Sequence, residues 1–245
     1  MADTKPRARR PKRPRIRPLS YRHELKYFLN RADYELLSRR LRAAMEQDKY
    51  ARINGGEYFI RSLYFDTPWD GALQEKLDGV DDRDKVRIRI YNGKDDVIKL
   101  ERKHKDNGYI AKQSITLSRK ECDALCAGNY SFLLKRPEPF ARVMFAEFAA
   151  KGLRPVVIVD YMREAYTFPT EDVRVTFDKD IRTAYRGVSL FDFAQPTYPV
   201  VDDYAMVMEV KFNAYLPTWI RELIQPVSSV RSAISKYCLC RKFEF

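Results

Sequence analysis

The chain has 245 residues, enough for one large domain, and its 45% apolar and 13% aromatic content can build a substantial core. Lys and Arg total 46 against 34 acidic residues, and the resulting +12 points to a polyanionic partner: nucleic acid, anionic lipid or a polyphosphorylated small molecule. Cys122, Cys126, Cys238 and Cys240 with only two histidines make neither a disulfide framework nor a good zinc set, and no P-loop or G-x-G-x-x-G is present, so any nucleotide must be held by side chains.

Residues 1–19 form a basic, proline-punctuated arm, in which Pro6, Pro11, Pro14 and Pro18 separate cations from Lys5 to Arg17. Such a segment buries too little apolar surface to offset its ordering entropy, so a disordered arm is expected ahead of one domain over 20–245. The arm lacks the apolar core of a signal peptide, and no run of about 18 apolar residues follows. A cytoplasmic protein is therefore expected, with the arm free to touch an anionic membrane or a membrane protein.

"YRHELKYFL" (21–29) predicts a strand that places Arg22, Glu24, Lys26 and Phe28 on one face. Asn30, with Asp33 three residues on, predicts the start of a helix carrying Leu36, Leu37, Leu41 and Met45. "EYFIRSLYFDT" (57–67) predicts an aromatic-rich strand ending at Asp66-Thr67-Pro68, followed by a short helix near 69–79. Three strands then follow over 85–91, 96–104 and 109–117, joined by Asn92-Gly93 and Asn107-Gly108, because Asn-Gly tolerates the positive φ of a tight hairpin. Ser118 with Glu121 forms a capping-box signature for a helix closing at Gly128, and 138–151 predicts a helix ending at Gly152. Strands resume at "RPVVIVDYMREAYTF", "VRVTFDKDIRTAY" and "YAMVMEVKF", and the remainder reads as helix or loop. The sum is an α+β fold of seven or eight mostly antiparallel strands with helices outside.

Period 2 sorts each strand into two faces. Val86, Ile88 and Ile90 oppose Lys85, Arg87, Arg89 and Tyr91; Lys99, Glu101 and Lys103 lie together; Lys112 joins Ser114, Tyr161 joins Arg163, Arg174 joins Thr176 and Asp178, and Glu209 joins Lys211. Each set alone could be a solvent face. Their recurrence predicts a sheet closed on itself, whose cation-rich lumen would need a linear polyanion to neutralise it. Arg supplies a fork for phosphate oxygens and Lys a point charge, while the scattered carboxylates suit Mg2+ or Mn2+, which binds one or two of them together with phosphate. His23 and His104 have the opposite parity to Lys26 and Lys103, which argues against a phosphohistidine intermediate.

"SLYFDT", "VRIRIYNG", "LERKH", "IAKQSI", "DYMREAYTF", "VRVTFD", "MEVKF" and "SKY", in that order, resemble the VTC domain, the polyphosphate polymerase domain of the vacuolar transporter chaperone complex and its bacterial single-domain relatives. The resemblance spans roughly 20–240 and implies a triphosphate tunnel metalloenzyme, a closed antiparallel eight-stranded β-tunnel. It implies that Lys26, Arg87, Arg89 and Lys103 grip the nucleotide phosphates, and that Lys112, Arg163, Arg174 and Lys236 orient the acceptor. Glu209 takes the metal-binding place with Glu101 as a second acidic contact. Tunnel hydrolases open on Glu-x-Glu-x-Lys, whereas Arg22, Glu24 and Lys26 stand here, a departure that favours polymerase over hydrolase. The expected activity is transfer of the γ-phosphoryl group of ATP to polyphosphate with Mn2+ or Mg2+. A tunnel triphosphatase and a non-catalytic polyphosphate-binding module are the alternatives, and no specific nucleic-acid motif is present.

Overall fold

The computed structural model describes residues 20–184, 188–201, 205–225 and 231–243. The basic arm over 1–19 lies outside the described residues. The strands are β1 (Tyr21–Leu29), β2 (Glu46–Gln47), β3 (Tyr58–Asp66), β4 (Arg83–Tyr91), β5 (Lys94–Asp106), β6 (Tyr109–Leu117), β7 (Arg154–Phe168), β8 (Val173–Thr183), β9 (Tyr198–Pro199) and β10 (Met206–Phe212). The helices are α1 (Arg31–Ala44), α2 (Lys49–Ile53), α3 (Gly71–Leu77), α4 (Arg119–Cys126), α5 (Pro139–Lys151), α6 (Thr218–Leu223) and α7 (Lys236–Lys242).

The sheet runs β7-β3-β4-β5-β6-β1-β10-β8, and β8 pairs again with β7 to close an antiparallel barrel of eight strands. The short β2 and β9 are appended to β7 and β8. Local chemistry sets the connections. Asn92-Gly93 and Asn107-Gly108 both adopt positive φ and return the chain within two residues, so β4, β5 and β6 form a meander. Asn30 Oδ1 accepts from the Asp33 amide at 2.8 Å to start α1. Ser118 and Glu121 close a reciprocal capping box on α4.

Alternation along each strand divides the molecule into an apolar exterior layer and a polar lumen. Val86, Ile88, Ile90, Ile98 and Leu100 point outward under α4 and α5 and pack with Leu125, Met144 and Phe148. On the opposite side α1 and α6 cover Val175, Phe177, Met208 and Val210 with Leu37, Leu41 and Ile220. Leu36, expected on the packed face of α1, is instead exposed, because Leu37 and Leu41 form the narrower seam that meets the sheet. A third cluster lies around α7, where Tyr237, Cys238 and Cys240 pack with Tyr64, Leu73 and Ile181. All four cysteines are free thiols. Among the described residues no helix is long and apolar enough to cross a membrane.

Candidate active site

The inward parity of the strands aligns side chains in cross-strand rows. Lys85, Lys103 and Lys112 are consecutive neighbours on β4, β5 and β6, and Arg87, Glu101 and Ser114 form the row beside them. On the other wall Lys26, Glu209 and Thr176 make one row across β1, β10 and β8, and Glu24, Lys211 and Arg174 make the next. Arg163 on β7 stands opposite Asp178 on β8. Like charges directly opposite one another are destabilising, so a row of three lysines is a standing demand for anions.

Two cavities share this lumen. A narrow one of about 90 Å³ contains Lys26, Lys85, Glu209 and Lys236 and is lined at the start of α7 by Tyr237. A wider one of about 410 Å³ contains Arg22, Lys112 and Arg174 and reaches the β4–β5 turn. Arg87, Arg89, Lys103, Arg163 and Lys211 line both, so they form the waist of one continuous tunnel.

The carboxylates hold this positive charge in place. Glu101 accepts from Arg87 Nε at 2.8 Å and from Lys112 Nζ at 2.9 Å. Asp178 takes a bidentate pair from Arg163 at 2.6 and 2.8 Å and also contacts Lys236. Glu24 binds Lys103 Nζ at 2.6 and 2.9 Å, and Glu209 pairs with Lys211. Burial and the neighbouring Glu209 push the Glu24 carboxyl up, but Lys103, Lys26 and Lys211 outweigh them and hold it down at about 2. Burial opposes ionisation of Asp178 as well, and Arg163 with Lys236 overcomes it, again to about 2. Glu101 and Glu209 are likewise held well below the carboxylate range against burial, Glu101 chiefly by Arg87 and Arg89, Glu209 chiefly by Lys211 and Lys26.

Three tunnel lysines are under-compensated: burial holds Lys211 below the ordinary lysine value despite Glu209 and Glu24, and Lys85 and Lys103 are lowered as well. Burial lowers Lys85 to about 7, helped by Lys26 and Lys103; its Nζ donates to Ser235 Oγ at 2.8 Å and lies 5.3 Å from the Tyr237 ring centre. Lys103 falls to about 8, since burial and Lys26 exceed the pull of Glu24. Water-stripped ammonium groups of this kind gain most from an incoming phosphate.

Every residue expected in the site lines the tunnel or bonds to residues that do. Lys26, Arg87, Arg89 and Lys103 lie together in the narrow cavity, but the four residues expected to orient an acceptor are spread out: Lys112 and Arg174 are in the wide part, Arg163 at the waist and Lys236 at the narrow end. Glu101 stands three strands round the barrel from Glu209 and shares no ion-pair partner with it. Glu24 does share two, since Lys26 lies 3.6 Å from Glu24 and 3.5 Å from Glu209, and Lys211 contacts both. His23 stacks on Phe212 outside the barrel, and His104 binds Asp84 at 3.1 Å, as their parity implies. Lys85 and Lys211 carried the lumen parity in the sequence and belong to the site. Tyr161, which shares the lumen parity of Arg163 in the sequence, accepts from Arg89 at 3.0 Å, and Tyr64, visible only as an aromatic strand residue, accepts from Arg87 at 2.8 Å. Ser235 and Tyr237 left no strand signal, because they enter from the C-terminal segment.

Among the described residues no group of three or more His, Cys, Asp or Glu could hold a metal ion. The Glu24–Glu209 pair nevertheless fits a hard divalent cation that completes its shell with phosphate oxygens, since Mg2+ and similar ions are bound through one or two carboxylates plus substrate.

A family model described as the VTC domain matches residues 21–245. The chain belongs to the VTC domain family. No curated protein matches this VTC domain. Among solved structures it is similar to a candidate adenylyl cyclase from Hippeastrum, described with a dominant triphosphatase activity, at 16% identity and a TM-score of 0.57, covering 91% of this chain and 97% of that one. It is also similar to a candidate adenylate cyclase from Bacillus halodurans, at 13% identity and a TM-score of 0.50, covering 86% and 95%. At these identities the likeness concerns the tunnel fold alone.

Proposed function

We propose that this VTC domain is an ATP:polyphosphate phosphotransferase. The observation that carries this reading is the through-going array of cations: a grip that runs from Arg174 and Lys112 in the wide cavity, through the waist, to Lys236 and Lys85 in the narrow one can hold a donor and an acceptor phosphate chain in line. Transfer forms a bond from a terminal oxygen of the acceptor chain to the γ-phosphorus of ATP and breaks the bond from that phosphorus to the β–γ bridging oxygen, releasing ADP. The charge on the peripheral oxygens of this loose transition state is what Arg87, Arg89, Lys103, Arg163 and Lys211 neutralise. No His or Cys lines the tunnel among the described residues, and none is needed, because the acceptor supplies the nucleophilic oxygen.

Glu209 and Glu24 are the residues that would hold a divalent cation, Mn2+ or Mg2+, whose charge would offset that of the phosphate oxygens. Tyr64 and Tyr161 fix the planes of Arg87 and Arg89, which shortens the search for transfer geometry.

The second reading is a tunnel triphosphatase, favoured by the activity described for the Hippeastrum structure. It is weighed against by Arg22, which lines the wide cavity where the hydrolase pattern has its first carboxylate. Incubation of the purified protein with ATP and Mn2+, resolved on a polyphosphate gel, tests both. A ladder with equivalent ADP supports the polymerase. Free phosphate without a ladder supports the hydrolase, and no turnover supports a binding module.

A further inference from the structure

The wide end of the tunnel carries a group of aromatic rings that the phosphate chemistry does not explain. Tyr50 on α2 is 59% exposed, a high value for a tyrosine bordering a cavity, and its ring lies nearly parallel to that of Tyr91 at the end of β4, with 11° between planes and 6.3 Å between centres. Tyr58 lies beneath them, tilted, with its ring centre 6.2 Å from Tyr50 and 6.3 Å from Tyr91. All three line the same cavity as Arg163 and Arg174. The narrow end has no comparable exposed ring: its tyrosines 64, 161 and 237 are buried.

The platform is fixed in place. Asp48 Oδ1 caps α2 by accepting from the Ala51 amide at 2.7 Å, while Oδ2 of the same carboxylate receives Arg174. One buried residue thus links the aromatic platform to a tunnel cation. Asn92 Nδ2 donates to Asn54 Oδ1 at 3.0 Å, tying the loop after Tyr50 to the turn after Tyr91. Asn54 Nδ2 in turn donates to the Tyr50 carbonyl at 2.7 Å.

An exposed aromatic surface at the mouth of a phosphate-binding tunnel fits a ligand with a flat π-face at one end and a polyanion at the other. We propose that Tyr50 and Tyr91 form a nucleobase platform, which orients a nucleoside triphosphate with its base at the wide mouth and its phosphates running inward past Arg174 and Lys112 to the waist. This inference deepens the phosphotransferase reading and rests on it for the identity of the donor. It also reassigns Lys112 and Arg174 to the donor, leaving Lys236 and Lys85 at the narrow end for the acceptor chain. A stacking surface without a dedicated base-edge pocket selects for the area of the base, so purines should be favoured over pyrimidines and any nucleotide over inorganic triphosphate.

Calorimetric titration of wild type, Tyr50→Ala and Tyr91→Ala with ATP, UTP and inorganic triphosphate, all without metal, tests this. The expected result is that Tyr50→Ala weakens ATP roughly tenfold or more, weakens UTP less, and leaves inorganic triphosphate unchanged. Tyr91→Ala, which removes the second ring, should weaken the three ligands in the same order, and an unchanged ATP affinity in it would take Tyr91 out of the platform. Equal affinities of wild-type protein for ATP and triphosphate, or an unchanged ATP affinity in Tyr50→Ala, would overturn the platform while leaving the phosphate-transfer reading intact, and would give the exposed ring to a protein contact instead. Loss of all three ligands together in Tyr50→Ala would also overturn it, since the ring would then be acting on the fold of the mouth. Failure of wild type to bind either ATP or triphosphate would defeat both readings.

Discussion

Glu24 on β1 and Glu209 on β10 flank the Lys26 ammonium from neighbouring strands, at 3.6 and 3.5 Å. Two buried carboxylates so placed repel each other, and three lysines hold both ionised. Such a pair either balances the tunnel when it is empty or receives a divalent cation with the substrate.

The two roles separate in Glu209→Gln and Glu24→Gln. If the carboxylates only balance charge, each substitution should tighten triphosphate binding and alter turnover modestly. For the cation-binding role, the expected outcome is loss of metal-dependent turnover by at least about a hundredfold in Glu209→Gln, with metal-free triphosphate binding equal or tighter. Turnover against metal concentration, measured beside metal-free calorimetry, checks it. Retained metal-dependent turnover would return Glu209 to charge balance.

Lys85 gives a pH dependence with a definite sign. Its folded value of about 7 lies below the ordinary lysine value of 10.5, so between these pH values the folded state binds fewer protons than the unfolded one. Its contribution therefore makes stability rise with pH across that window, and its full penalty is present below about 7. A phosphate beside it favours the charged form, so binding of inorganic triphosphate at pH 8 should take up protons. Titrations in two buffers of different ionisation enthalpy measure that uptake. Lys85→Arg, which stays charged, should reduce it, with Lys103 supplying the remainder. Identical uptake in wild type and Lys85→Arg would remove Lys85 from the ligand.

The barrel was legible in the sequence because two strong local signals coincide there: period-2 alternation, and Asn-Gly pairs whose positive φ fixes the β4–β5–β6 register. The same alternation placed Arg87 and Arg89 inward and His23 and His104 outward. It could not show that Glu24, rather than Glu101, accompanies Glu209, because that depends on which strands meet when the sheet closes. Helix α2 escaped notice because it has five residues and little apolar periodicity, being held instead by the Asp48 cap and by the Gln47 side chain, which donates to the Gly56 carbonyl at 2.8 Å. Parity also has no purchase on Lys236, the first residue of a helix, and only the "SKY" resemblance put it in the tunnel.

Asp178 is wholly buried and neutralises Arg163 and Lys236 together. Its carboxyl, held at about 2 in the fold, contributes stability that is present above its unfolded value near 3.8 and is lost as pH falls through that interval. Asp178→Asn leaves two desolvated cations unpaired, and breaking a buried pair from one side costs about 3–5 kcal/mol. The expected result is a large fall in Tm at neutral pH, part of which saturating inorganic triphosphate restores by supplying the missing negative charge. A Tm that falls without any recovery on adding triphosphate would show that the anion does not reach Arg163 and Lys236.

Arg89 is as enclosed as Arg163, and its hydrogen bonds go to neutral groups: Nε donates to Ser62 Oγ at 3.2 Å and Nη2 to Tyr161 Oη at 3.0 Å, while the Glu101 carboxylate stands 3.8 Å from Nη1. Arg87 beside it is already engaged by Glu101 through Nε and Nη2. The two guanidiniums therefore differ in what remains for a ligand: Arg87 must exchange a carboxylate for a phosphate, whereas Arg89 gains its principal anion when the substrate arrives. Arg89→Ala should lower turnover at least about a hundredfold, since one charge-assisted grip on a transferring phosphoryl group is worth a few kcal/mol in the transition state. Arg89→Lys should recover only part of this, because a point charge cannot keep the Ser62 and Tyr161 contacts while reaching phosphate. Both variants should stay folded, because the β3–β4–β5 pairing around position 89 is made by the backbone, with a modest fall in Tm from loss of the Ser62 and Tyr161 contacts. Turnover and melting measured on the same preparations decide it. Wild-type turnover in Arg89→Ala would show that the transferring group lies away from the waist, and a collapse in Tm would make Arg89 a structural member of the wall.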